Sequence, residues 1–203
     1  MNIKIFVSGL LFTNSYLVSD KKEAVLIDCG GEPKEILEEI KVKKLKLKYI
    51  LLTHGHGDHI YGLNQIRKET GAKIGLHEKD VAGLNHSFNL SIVNAEPVKE
   101  DFHIKEGDQF RIGEIIFEVI ETPGHTPGGV CFWIKNKKIL FTGDTLFKTG
   151  VGRDDFPGGN WNELKQSLRR LIKMEEDIKI YPGHGQDSTI GNEKKFLLRS
   201  KVI

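Results

Sequence analysis

The chain has 203 residues with a hydrophobic fraction of 38%, enough for one sizeable domain with a buried core. Lys+Arg of 30 against Asp+Glu of 28 leaves a net charge of +2, too even a balance for a chain that binds nucleic acid or an anionic membrane surface. No apolar run approaches the ~20 residues of a spanning helix, the N-terminus lacks a signal peptide's pattern, and Cys29 and Cys131 alone cannot build a disulfide framework. A cytoplasmic protein with free thiols is expected.

Short runs rich in Val, Ile and Phe predict strands over residues 3–7, 15–18, 24–27 and 49–52. A first helix is expected between the last two, where Ile36, Leu37 and Ile40 fall three or four apart behind Pro33. A second follows, marked by Leu63 and Ile66, extending to Ile60 and closed by Gly71. Further strands are predicted over 73–76, 115–120, 130–134, 138–141 and 178–181, with a polar surface loop over 84–97. Leu164, Leu168, Leu171 and Ile172 form the clearest helical stripe, with Asn160 or Asn162 as its cap, and a final short helix covers 193–199. No repeat, linker or low-complexity tract interrupts the order. One α/β (α+β) layered domain over residues 1–203 is the expected architecture.

The chemistry concentrates in glycine-flanked loops. Directly after the strand 49–52 comes Thr53-His54-Gly55-His56-Gly57-Asp58-His59, with four possible metal ligands separated only by glycines. On a helix His54 and His56 would face apart; in a glycine loop the backbone turns tightly enough to aim both at one point. Three later loops repeat the construction, a strand ending in glycine and then one ligand type: Gly124-His125, Gly143-Asp144 and Gly183-His184. A lone Gly-His or Gly-Asp is usually a turn; three such pairs beside the dense cluster are not explained as turns. His77, His86 and His103 lack this context and are expected at the surface. Histidine and carboxylate donors suit open catalytic sites rather than closed structural zinc sites. Seven donors exceed the needs of one tetrahedral ion, and suit two ions sharing a carboxylate, for which Asp144 is the natural candidate. Asp58 and Asp144 are the candidate catalytic carboxylates. Asp28, at a strand end, is a candidate support for the ligand loop, or else a turn residue.

The Thr-His-x-His-x-Asp-His motif with the later His, Asp and His loops resembles the metallo-β-lactamase fold superfamily. Within it, Gly143-Asp144-Thr145-Leu146-Phe147, Gly152-Arg153 and Pro182-Gly183-His184-Gly185 are most similar to the hydroxyacylglutathione hydrolases (glyoxalase II) and their short relatives. The resemblance implies a four-layered αββα sandwich. It implies one metal on His54, His56 and His125, a second on Asp58, His59 and His184, and Asp144 between them. The ions would be divalent, zinc first, with iron or manganese as other options. The implied reaction is hydrolysis of a small acyl thioester such as lactoyl-glutathione, with Arg153 pairing a substrate carboxylate or, alternatively, Asp154 or Asp155. Long glyoxalase II enzymes continue past the last histidine into a helical domain that helps bind glutathione; here 19 residues follow His184. Persulfide dioxygenases resemble the pattern too, using one iron on positions matching His54, His125 and Asp144. The lysines at 41, 43, 44, 46 and 48 are the sole support for nucleic-acid binding, and such a run is normally a solvated connection. The expected partner is therefore a small-molecule thioester, with neither nucleic acid nor membrane.

Overall fold

The computed structural model describes residues 1–84 and 97–203. Its strands, in chain order, are β1 (Asn2–Ser8), β2 (Thr13–Asp20), β3 (Glu23–Ile27), β4 (Lys46–Leu51), β5 (Lys73–His77), β6 (Phe102–Ile104) and β7 (Gln109–Ile112). β8 (Ile115–Glu121), β9 (Val130–Ile134), β10 (Ile139–Gly143), β11 (Leu146–Phe147), β12 (Gly150–Val151), β13 (Lys179–Pro182) and β14 (Ser188–Thr189) follow. One sheet runs β1-β2-β3-β4-β5-β6, the other β14-β13-β10-β9-β8-β7, and β11 and β12 form a small separate pair.

Alternation along the strands decides how the sheets are covered. In β3, Val25 and Ile27 face one core while Ala24 and Leu26 face another; in β2, Tyr16 and Val18 oppose Leu17 in the same way. Successive strand residues point to opposite faces, so apolar residues on both faces demand a layer above and a layer below. The inner layer is the other sheet: Val25, Ile27 and Leu51 meet Phe117, Phe132 and Phe141. On the outer side of the first sheet, Leu26 and Leu52 pack on Ile36 and Ile40 of the helix Lys34–Lys43 and Leu63 and Ile66 of the helix Leu63–Thr70. On the outer side of the second, Leu140 and Ile180 pack on Leu164 and Leu168 of the helix Trp161–Leu171 and Leu197 of the helix Ile190–Arg199. The result is helix, sheet, sheet, helix: the expected four-layered αββα sandwich.

Parallel neighbours need a crossover rather than a tight turn, and this places the loops that matter. β3, β4, β5 and β6 pair in parallel, as do β10 and β13. The helix Trp161–Leu171, capped by the Asn160 side chain, lies between β10 and β13 in the chain. Parallel strands end at the same rim, so the segments after β3, β4, β10 and β13 emerge together.

All nine predicted strands and four helices are present. Ile60 lies outside the second helix, buried behind the one-turn 3-10 helix Gly57–His59. The last helix starts earlier than its apolar stripe suggests, because the Thr189 hydroxyl accepts the amide of Asn192. Leu84 belongs to no surface loop: it ends the short helix Val81–Leu84 and is buried. The rest of the expected loop, residues 85–96 with His86, falls outside the described residues. His77 is likewise not at the surface; it is 5% exposed, donating from Nε2 to Glu121 while its Nδ1 accepts the amide of Lys79. His103 is exposed, as expected, beside Glu100. Among the described residues no helix is long and apolar enough to cross a membrane.

Candidate metal centre

The rim gathers all seven candidate ligands. Among the described residues, three groups of donor atoms lie within 4.8 Å of one another: His54, His56 and His125; Asp58, His59 and His184; and His54, His59 and Asp144. The third group takes one member from each of the others and adds Asp144. The two carboxylate oxygens of Asp144 divide accordingly: Oδ1 lies 3.4 Å from His59 Nε2, and Oδ2 lies 3.6 Å from His125 Nε2 and 3.4 Å from His184 Nε2. Asp144 therefore stands between the first two groups.

Each histidine is aimed by what holds its other nitrogen. Asp28, 1% exposed, accepts the Thr53 amide on Oδ1 and both the Thr53 hydroxyl and His59 Nδ1 on Oδ2. Because the Thr53 hydroxyl spends its proton on Asp28, it accepts from His54 Nδ1 at 3.0 Å. The carbonyls of Arg153 and Leu11 accept from His125 Nδ1 and His184 Nδ1. These bonds orient His54, His59, His125 and His184 with Nε2 turned inward. His56 is the exception: its Nδ1 faces the centre, 2.9 Å from His125 Nε2. Asp58 is steadied by the Thr13 hydroxyl at 3.0 Å. Gly183 permits the close approach of the two halves, since a Cβ there would stand 2.1 Å from Asp144 Oδ1 and 2.7 Å from His59 Cε1.

The donor set fits divalent ions on two observations. His54 Nε2 and Asp144 Oδ1 are buried and, among the described residues, without a hydrogen-bond partner, a costly state for polar atoms unless another group completes them. The centre also gathers Asp58, Asp144 and the nearby Asp28 in a largely buried space, which cations relieve. Protonation reflects the same imbalance. Burial, reinforced by neighbouring histidines, holds His54 well below its ordinary value and brings His56 down to about 4. Burial also opposes protonation of His59 and His184, but is outweighed. Asp58, Asp144 and Asp28 hold His59 well above its ordinary value, and bonds to Asp144 and Asp58 push His184 up to about 9. Burial would raise Asp58, yet His59 and His184 bring it down to about 2.

Arg153 lies at the edge of this centre. Its guanidinium pairs with Asp155 through two contacts of 2.6 Å and lies 3.9 Å over the Phe156 ring, which meets the His56 ring edge-on. Of the two readings of its side chain, pairing with Asp155 is the one present in this structure. Thr13, Thr53 and Leu11 escaped sequence reasoning. Thr53, next to the first histidine, carried a readable signal, but Thr13 and Leu11 act across a fold that no local pattern reveals.

Residues 8–184 match the Metallo-beta-lactamase superfamily, and the chain belongs to it. It is 38% identical over 204 residues to hydroxyacylglutathione hydrolase GloC of Haemophilus influenzae, covering 96% of each chain. Among solved structures it is similar to the BLEG-1 B3 metallo-beta-lactamase, with a TM-score of 0.88 and 32% identity over 96% of this chain and 97% of that one. It is also similar to TTHA1623 in a di-iron-bound form, with a TM-score of 0.85 and 31% identity over 95% and 98% of the two chains.

Proposed function

We propose that this protein is a metal-dependent hydrolase that cleaves a small acyl thioester. His54, His56 and His125 would hold one divalent ion, Asp58, His59 and His184 a second, and Asp144 would bridge them. Bound there, the ions supply a Lewis acid for a carbonyl oxygen and a source of nucleophile at neutral pH. The chain's own residues do the rest. His54 and His56 stay neutral at physiological pH and keep lone pairs available. Asp58, held ionised by His59 and His184, keeps its carboxylate charged beside them. A thiolate leaving group, with a thiol pKa near ~8.5, departs with little need for an acid.

The observation that carries this reading is the complete Asp58, His59 and His184 group. A single iron on His54, His125 and Asp144 would leave it without a role. The named activity of GloC supports the substrate class, and the di-iron TTHA1623 leaves the metal to be measured. Arg153 would bind a substrate carboxylate by exchanging it for Asp155. Lys46 and Lys48 open β4, the strand whose other end leads to His54, so the lysine run lies a strand's length from the chemistry.

The test is anaerobic. The purified protein, with its metal content measured, is offered lactoyl-glutathione and other acyl thioesters without oxygen; release of one thiol per ester is expected, and chelation should abolish it. No thioester turnover, with iron bound and oxygen uptake on glutathione persulfide, would reassign the enzyme to the dioxygenases. Turnover of a β-lactam alone would place it with the lactamases.

A further inference from the structure

Asp80 is 3% exposed and belongs to none of the donor groups at the rim. It ends the one-turn 3-10 helix Glu78–Asp80 that follows β5. Three donors converge on its carboxylate: the Gly55 amide at 3.0 Å and the Thr126 hydroxyl at 2.7 Å on Oδ2, and the Gly128 amide at 2.6 Å on Oδ1. Gly55 sits between His54 and His56, while Thr126 directly follows His125 and Gly128 lies in the same loop. Every histidine of the first group thus hangs from a segment that Asp80 holds. The second group is tied elsewhere, Asp58 to Thr13, His59 to Asp28 and His184 to Leu11.

The chemistry of the clip is specific. Only an ionised carboxylate offers two oxygens and no hydrogen to three incoming donors, and bonds to a charged acceptor are the stronger kind. The fit is close as well, because a Cβ on Gly128 would stand 2.7 Å from Asp80 Oδ1. We propose that Asp80 is a positioning residue for the three-histidine half of the centre. It sets the spacing between the His54–His56 loop and the His125 loop, and through it that half's affinity for its ion, without touching the ion. The inference rests on the ligand assignment proposed above.

Zinc affinity decides it, measured by competition with a chromogenic chelator in two full-length backgrounds. His184→Ala retains the three-histidine half, and His56→Ala retains the Asp58, His59 and His184 half. In the first background Asp80→Ala should weaken zinc binding roughly 10–100-fold, the usual range for a residue that orients a ligand. In the second it should change binding by less than about twofold, as for an independent site. Asp80→Asn, which turns an amide hydrogen toward at least one donor, should fall between. Thr126→Val, which removes one donor from the opposite side, should weaken the first half least. These two milder variants decide the matter if Asp80→Ala fails to fold. Equal losses in both backgrounds, or unchanged affinity for Asp80→Asn and Thr126→Val in the first, overturn the inference. A wild-type chain that binds no zinc or other divalent ion overturns the ligand assignment itself, and this inference with it.

Discussion

The two halves of the centre lie side by side on one rim and are built on opposite electrostatic plans. In the three-histidine half, burial holds His54 and His56 below their ordinary values. The other half surrounds His59 and His184 with Asp58 and Asp144, which raise both imidazoles above their ordinary value. One half favours unprotonated imidazoles; the other favours protons, with which an ion would compete. Proximity in a fold therefore does not make two sites alike, and each half should answer differently to the same perturbation.

The largest effect should come from the residue that joins them. Asp144→Ala is expected to lower metal content in both halves and to reduce thioester hydrolysis by more than about 100-fold, beyond the range for residues that only orient ligands. Metal analysis and steady-state rates check this, with exposed His103→Ala as the control and circular dichroism confirming the fold. Retention of both ions would mean the halves are independent. Next comes pH. His184, raised to about 9, keeps its proton at every pH below that value, so the second half's affinity should rise on the order of tenfold per pH unit for each proton displaced. The first half, with His56 lowered to about 4, should change far less between pH 5 and 8 on that account. The sign carries over to stability without metal. The His184 proton favours the folded state below the ordinary histidine value, and that contribution is lost as the pH rises through about 9. Titrations at several pH values in single-site backgrounds separate the two slopes.

A smaller effect follows from Thr53→Val, which cuts the link from Asp28 to His54 but leaves His59 on Asp28. It should weaken the first half about tenfold and spare the second, as competition titrations would show. The smallest is Arg153→Ala. Its guanidinium is half exposed and already paired with Asp155, a setting in which ion pairs contribute little. A rise in KM of about threefold with kcat unchanged is the expected result, the mark of lost uniform binding. A fall in kcat would put the Arg153 segment in control of His125, which its carbonyl orients.

Much of this was legible in the sequence, for reasons that can be named. The strands that position the ligands are apolar on both faces, so 24–27, 49–52 and 138–141 stood out, each ending in three residues drawn from Val, Ile, Leu and Phe. The ligand loops follow them and carry glycines that local reading can recognise. What stayed hidden was set by distant partners. β6 is three residues long and β7 mixes Gln and Arg with Phe and Ile, so pairing with β5 and β8 rather than propensity makes them strands. His77 looked like a surface residue because Glu121, which accepts its proton, comes 44 positions later. Leu11 and Thr13 were silent for the same reason.

That separation has a consequence for how the protein is made. Thr13 forms an isolated bridge to His184, the Asn14 amide bonds the Gly183 carbonyl, and the Tyr16 hydroxyl bonds the Pro182 carbonyl. The β1–β2 hairpin is thus completed by a loop 166 positions further along, a span that pays its closure entropy late. The three-histidine half closes over shorter spans, with the Arg153 carbonyl on His125 and the Asn160 amide and Ser167 hydroxyl on the two residues before it. The carboxylate-rich half is complete only when His184 joins His59 from 125 positions further along, so the two halves are assembled over very different lengths of chain.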